Sequence, residues 1–193
     1  HASVPVINGL TDLFHPCQSM TDYFTAYEKF GGELKGRKLA YVGDGNNMAH
    51  SLLFAAPKVG MDIAIATPAA YACNADVVAQ AQRAADEAGT KIVLTTSMDD
   101  AVRDADIVET DVWASMGQED EAEQRHRDFA GWIVDQRLMS LAKQEAIFLH
   151  CLPAHRGEEV AADVIDGKQS VIYDEAENRL HVQKAIMVTL MRK

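Results

Sequence analysis

The sequence predicts an α/β protein: a Rossmann-like open, mostly parallel sheet with helices on both faces. Two observations predict it. Short β-branched runs alternate with stretches rich in Ala, Leu and Gln along most of the chain. Most of the runs are continuously apolar rather than alternating, as strands covered on both faces are.

In chain order, an opening segment leads to a helix over 16–30. Pro16 suits a first helical position, and Met20, Tyr23, Phe24, Tyr27 and Phe30 recur at helical spacing. Gly31-Gly32 ends it. Strands are predicted over 38–42, 62–67, 91–96, 106–112, 146–151 and 170–173, with helices over 48–59, 75–88, 98–103 and 136–142 between them. The connection over 113–127 is long, polar and acidic, which reads as a lid rather than plain disorder because it leaves a strand end directly. A last helix covers 177–191. The expected division is a linking segment and helix over 1–34, a central domain over 35–176 and a return helix over 177–193. Both flanking helices carry more apolar surface than one sheet needs to cover. They either pack on this sheet or cross to a neighbouring domain. Beginning at His1 in a strand-like run, the chain reads as a piece of a longer protein.

The net charge of −11 argues against nucleic acid, whose phosphates need a basic face. No apolar run reaches the length of a membrane span. Cys17, Cys73 and Cys151 are odd in number and far apart, so no disulfide framework follows and a reducing compartment is expected. With no Cys-x-x-Cys or His-x-x-x-His pair, a structural zinc site is not expected.

Five segments carry polar chemistry. Gly43-Asp44-Gly45-Asn46-Asn47-Met48 follows a strand and opens a helix, where a dinucleotide fingerprint would lie. Met48 occupies its third glycine position, however, and Thr67-Pro68 ends the next strand without an acid for a ribose hydroxyl. No nicotinamide cofactor is expected. The turn suits a carboxylate or phosphate at a helix N-terminus, with Asn47 adding a side-chain donor; alternatively the asparagines only cap the helix. His15 and Gln18 lie three apart at a helix start and can face one ligand, or be structural. Asp111 ends a strand before Ser115-Met116-Gly117 and can pair with an ammonium group, or satisfy loop N–H groups. Cys151 lacks a base on its own side of the strand, because alternation turns His150 away, so covalent cysteine catalysis is disfavoured. Arg179 near a helix start needs an anionic partner, or belongs to a solvated charge run.

Taken in order, these runs resemble the ornithine carbamoyltransferases over essentially the whole chain. The matching runs are Val4-Pro5-Val6-Ile7-Asn8-Gly9-Leu10 with His15-Pro16-Cys17-Gln18, Gly43 through Asn47, Asp111 through Gln118, His150 through Pro153, and Glu177-Asn178-Arg179. The Ser115-Met116-Gly117 run separates the ornithine enzymes from the aspartate carbamoyltransferases. The resemblance implies ornithine contacts at Asn47, Asp111, Ser115 and Met116, with Asp111 on the α-ammonium and Asn47 toward the carboxylate. It implies carbamoyl phosphate contacts at His15, Gln18, Cys151, Leu152 and Arg179, with His15, Cys151 and Arg179 at the reacting group and a cis bond into Pro153. The phosphate clamp of that family, a Ser-x-Arg-Thr-Arg run in an amino-terminal domain, has no counterpart in these 193 residues. The chain is therefore expected to be inactive alone. The resemblance also implies no metal or cofactor, no membrane partner, a cytoplasmic location, a trimer for the intact enzyme and a role in arginine synthesis or breakdown. His155-Arg156-Gly157-Glu158-Glu159 looks more like the arginine biosynthesis type. Two other functions fit parts of the pattern: an NAD-dependent oxidoreductase, which shares the strand–Gly–helix start, and a stand-alone ornithine or anion sensor.

Overall fold

The computed structural model describes residues 2–114 and 119–192. In it the β-branched runs form β1 (Lys38–Val42), β2 (Asp62–Ala66), β3 (Ile92–Thr95), β4 (Ile107–Thr110) and β5 (Ile147–His150). All pair in parallel, in the order β3-β2-β1-β4-β5. Strand order reverses between β1 and β4, and a crevice opens beyond the carboxyl ends of strands at such a reversal. The register sharpens this: Val42 lies opposite Thr110, and Thr110 opposite His150. Residues 43, 111 and 151 therefore leave three adjacent strands at one level.

Eight α-helices surround the described sheet: α1 (Pro16–Lys29), α2 (Asn47–Ala55), α3 (Ala75–Ala88), α4 (Met98–Val102), α5 (Ala122–Asp128), α6 (Gln136–Met139), α7 (Ala162–Ile165) and α8 (Ile172–Met191). Strand alternation splits the core in two. Leu39, Tyr41, Ile63, Ile65 and Leu149 face Tyr23 of α1 and Leu52 and Leu53 of α2. On the other face Ala40, Ala64, Val108 and Phe148 meet Ala101 of α4, Leu138 of α6 and Val164 of α7. Covering both faces explains why the strand sequences run apolar without alternation.

Three expectations shift. The helix predicted over 48–59 ends at Ala55 and tightens into a 3-10 turn over Ala56–Val59, because Pro57 cannot continue the α-helical ladder. The strand predicted over 170–173 reduces to an isolated bridge between Ser170 and Phe148, and Ile172 already begins α8. The long helix thus starts five residues before the predicted 177. Finally, α5 forms inside the connection over 113–127, so less of it is irregular than expected.

Helices α1 and α8 pack on each other, with the Asn178 amide donating to Thr25 Oγ1 (3.1 Å) and to Glu28 Oε2 (2.7 Å). Through Tyr23 and Ala26, α1 also reaches the sheet core. Their outer sides hold an apolar groove lined by Met20, Phe24, Val182, Ile186 and Leu190.

Gly45 sits where the chain leaves β1, and its N–H donates to Tyr71 O at 2.9 Å. A Cβ there would lie 2.4 Å from Cys73 N and 2.5 Å from Tyr71 O, both backbone atoms that cannot swing away. Gly45→Ala is therefore expected to cost about 1–3 kcal/mol. In a thermal melt that is a loss of roughly 3–10 °C, and an unchanged midpoint would contradict the close approach.

Candidate active site

Asp111, the first residue past β4, is almost fully buried and collects three donors. Asn46 Nδ2 reaches its Oδ2 at 2.8 Å, while Val112 N–H (2.8 Å) and the Cys151 thiol (3.1 Å) reach its Oδ1. Asn46 also caps α2, its Oδ1 accepting from Met48 N–H (2.9 Å) and Ala49 N–H (3.3 Å). That double duty fixes the amide orientation with its NH2 toward Asp111. The anion cradle expected at this turn is largely filled from within: Gly43 N–H donates to Ala66 O, Gly45 N–H to Tyr71 O, and Met48 and Ala49 N–H to the Asn46 cap. The turn therefore serves first to hold a carboxylate side chain, not to receive a free anion at those four groups.

Asn47 points its Nδ2 at Thr11 O (2.9 Å), on the exposed side of the same helix end. Its carbonyl accepts from Ser51 Oγ (2.8 Å), and Ser51 Oγ in turn accepts from His15 N–H (2.7 Å). The start of α2 thereby ties down the start of α1. Burial lowers the His15 pKa and the nearby Arg179 lowers it further, against an opposing pull from Asp111, so the ring favours its neutral form. Its Nδ1 is buried without a hydrogen-bond partner among the described residues.

Gln18 is held on both ends. Its Nε2 donates to Asp22 Oδ1 (2.7 Å) and Glu175 Oε1 (2.8 Å), and its Oε1 accepts from Arg179. Glu175 Oε2 accepts from His150 N–H (2.9 Å), linking α8 to the end of β5. Two carboxylates thus force the Gln18 amide nitrogen inward and leave its oxygen beside the guanidinium. A third carboxylate, Glu109 of β4, lies against this pair, and neither of its oxygens finds an N–H or hydroxyl donor among the described residues. Burial drives Asp22, Glu109 and Glu175 all well above the ordinary carboxylate range, and their mutual repulsion adds to it. A proton shared between Asp22 and Glu109 pairs Asp22 Oδ2 with one of the two Glu109 oxygens.

Leu152 carries a positive φ of 57° and precedes a cis peptide to Pro153. Its N–H donates to His150 Nδ1 (2.9 Å), while His150 Nε2 faces Glu159 Oε1 (3.2 Å). Contrary to the strand-alternation expectation, one His150 ring nitrogen lies within 4.8 Å of the Cys151 thiol and of Asp111. Both ring nitrogens are already engaged, however, by Leu152 N–H and Glu159. Burial pushes that thiol well up, and the Asp111 carboxylate beside it pushes further. Burial also raises the Cys73 thiol to about 12. At pH 8 a thiol of that pKa is about 1 part in 10,000 thiolate. Native protein at pH 8 is therefore expected to leave Cys73 and Cys151 unmodified by iodoacetamide over an hour, with both alkylated in denaturant. Rapid native labelling of Cys151, located by peptide mass, would contradict this.

One further clamp joins α5 to the turn after β1. Arg125 Nη1 donates to Asp44 Oδ2 (2.7 Å) and Trp113 O (3.0 Å), with both ion-pair partners nearly buried. Burial raises the Asp44 carboxyl, and Arg125 pulls it back down.

The structure brings His15, Gln18, Asp111, Cys151 and Arg179 to the β1/β4/β5 seam, with Asn47 and Leu152 at its margins. Ser115 and Met116 lie outside the described residues. Asn46, Asp22, Glu109 and Glu175 are additions that sequence reasoning missed. Glu109 had a signal: an acid inside the otherwise apolar strand Ile107-Val108-Glu109-Thr110.

The sequence pattern of the family described as aspartate/ornithine carbamoyltransferase, Asp/Orn binding domain, matches residues 35–190. The chain belongs to that family. Among its relatives, the ornithine carbamoyltransferase of Symbiobacterium thermophilum is 59% identical over 190 residues, covering 98% of this chain and 61% of that protein. The one from Wolinella succinogenes is 56% identical over 193 residues, covering 100% of this chain and 62% of its own length. The structure of ornithine carbamoyltransferase from Pyrococcus furiosus superposes with a TM-score of 0.93 at 53% identity, covering 98% of this chain and 60% of that one. The chain thus spans about three fifths of the length of the relatives it matches. His15 and Gln18 precede the stretch matched by the aspartate/ornithine carbamoyltransferase Asp/Orn binding domain, yet α1 folds them back onto it.

Proposed function

We propose that this chain supplies the ornithine-binding side, and part of the carbamoyl side, of an ornithine carbamoyltransferase. The observation that carries this reading is the meeting of a buried, donor-fixed carboxylate, Asp111, with His15, Gln18 and Arg179 at one strand-order reversal. In this reading Asp111 holds the ornithine α-ammonium. The Asn47 amide leaves Thr11 O for the α-carboxylate, and Ser115 and Met116 are further ornithine contacts. The neutral side-chain amine attacks the carbamoyl carbon. A C–N bond forms, negative charge grows on the carbonyl oxygen, the C–O bond to phosphate breaks, and the amine's proton leaves with phosphate. His15 and Arg179 donate to the developing oxyanion, an effect worth about 3–4 kcal/mol per donor. Gln18, whose nitrogen is committed to carboxylates, offers only its oxygen and so accepts from the carbamoyl NH2. The engaged His150 and raised Cys151 thiol favour direct transfer without a covalent enzyme intermediate.

The remaining phosphate-binding groups come from an amino-terminal portion carrying a Ser-x-Arg-Thr-Arg run. The apolar groove between α1 and α8 fits contact with that portion. A trimeric assembly in the cytoplasm and a role in arginine biosynthesis complete the reading; among the described residues no helix is long and apolar enough to cross a membrane. Joining this chain to the amino-terminal portion of the Symbiobacterium relative should restore citrulline formation from ornithine and carbamoyl phosphate. The chain alone should be at least about a thousandfold slower, equivalent to losing one or two oxyanion donors. A joined protein that folds but makes no citrulline, beside an active intact relative, would overturn the proposal.

A further inference from the structure

The loop after β5 gathers a second group of polar side chains. His155, Glu158 and Glu159 each place one ligand atom within 4.8 Å of the others. Glu159 is fully buried. Its Oε1 accepts from His155 N–H (2.6 Å) and faces His150 Nε2 (3.2 Å), which fixes the carboxylate's direction. Its Oε2 is buried without a hydrogen-bond partner among the described residues and lies 3.7 Å from His155 Nδ1. Glu158 Oε2 lies 3.6 Å from His126 Nδ1 of α5. The His155, Glu158 and His126 side chains are about half exposed, so solvent reaches the group from outside.

We propose that His155, Glu158 and Glu159 form a binding site for a divalent first-row transition-metal ion. The orphaned Glu159 oxygen is the anchor. A buried carboxylate oxygen is normally paired, and here its partner oxygen takes the N–H donors while it faces an imidazole. That is the arrangement in which a ligating carboxylate is oriented by hydrogen bonds to its other oxygen. One imidazole with two carboxylates selects zinc, cobalt or nickel over calcium and magnesium, which take oxygen ligands alone. His126 Nδ1 contacts Glu158 Oε2 at 3.6 Å but lies outside the three-residue group. An ion held by that group pins the loop after β5, and Glu159 relays its position through His150 to the Leu152 N–H. The site is separate from the Asp111–Cys151 contact and stands whether or not the transfer reaction is as proposed.

Cobalt(II) is the probe, added to the whole 193-residue chain and followed by visible absorption and calorimetry. One equivalent should bind, with d–d bands of a nitrogen–oxygen site, and raise the melting temperature. His155→Ala and Glu158→Gln change partly exposed side chains and should fold normally. Each should weaken cobalt binding at least tenfold and abolish the thermal shift. Three outcomes would overturn the site: no saturable binding, equal binding by both variants (an adventitious ion only), or a sulfur-to-cobalt charge-transfer band, which places the ion on Cys151 instead.

Discussion

Asp111→Asn is expected to lower kcat/KM for ornithine by about 30- to 150-fold in the chain joined to a relative's amino-terminal portion. The substitution removes the negative charge that opposes the α-ammonium while keeping the side chain's shape. A buried charge-assisted hydrogen bond contributes about 2–3 kcal/mol, and each 1.4 kcal/mol is tenfold. Three donors converge on the Asp111 carboxylate, from Asn46, Val112 and Cys151. An asparagine offers one oxygen where the aspartate offers two, so one donor also loses its acceptor, a cost of about 1–3 kcal/mol in stability. The diagnostic result is the split: KM for ornithine rises while that for carbamoyl phosphate stays within a fewfold. A variant whose ornithine kinetics are unchanged removes Asp111 from the site.

Glu109→Gln should make the protein more stable at neutral pH, by about 1–3 kcal/mol. Glu109 is buried against Asp22 and Glu175, and burial first, then the neighbouring carboxylates, raise its folded pKa well above the ordinary value. A raised carboxyl pKa means that folding favours the protonated form. The group's contribution is therefore fully present below about pH 4 and is lost as pH climbs through the folded value. Glutamine keeps the shape and carries no charge to lose. Denaturant melts of parent and variant should coincide near pH 4 and separate increasingly toward pH 8, with the variant ahead. The difference between the two curves is the test, because other carboxyls, such as Asp106 held low by Lys143 and Arg37, give each curve its own acid limb. A variant less stable than the parent at pH 8 would show that Glu109 is paired with a cation in solution.

The strands that close on both faces were readable in the sequence because a continuous apolar run bounded by breakers leaves few alternatives. Lys38–Val42 and the helix Ala75–Ala88 fall where the pattern puts them. Val171-Ile172-Tyr173 misleads for a physical reason: three apolar β-formers fit a buried strand and the first turn of a helix packed on the sheet equally well. Only tertiary contact, Val171 N–H on Phe148 O, decides between them.

The site was partly legible in the same sense. Asp111 and Cys151 follow from strand ends and Gln18 from a helix start, whereas Arg179, expected near a helix start, lies eight residues into α8 because that helix begins at Ile172. Their convergence depends on α1 and α8 packing together across more than 150 residues of sequence, which no local pattern encodes. Asn46 was hidden because a helix cap needs no second role. Asp22, four residues after Gln18 on α1, reads as part of a solvated helix face. Its burial becomes apparent only when α8 brings Glu175 to the same amide.

The most direct test is a crystal structure of the joined enzyme with ornithine and a non-reactive phosphonate analogue of carbamoyl phosphate. The ornithine α-nitrogen should lie about 3 Å from the Asp111 carboxylate, with its carboxylate toward Asn47. Its side-chain nitrogen should point to the space between His15, Arg179 and the Cys151–Leu152 backbone. Ornithine bound in the opposite direction, or away from the seam where β1, β4 and β5 end together, would contradict the account.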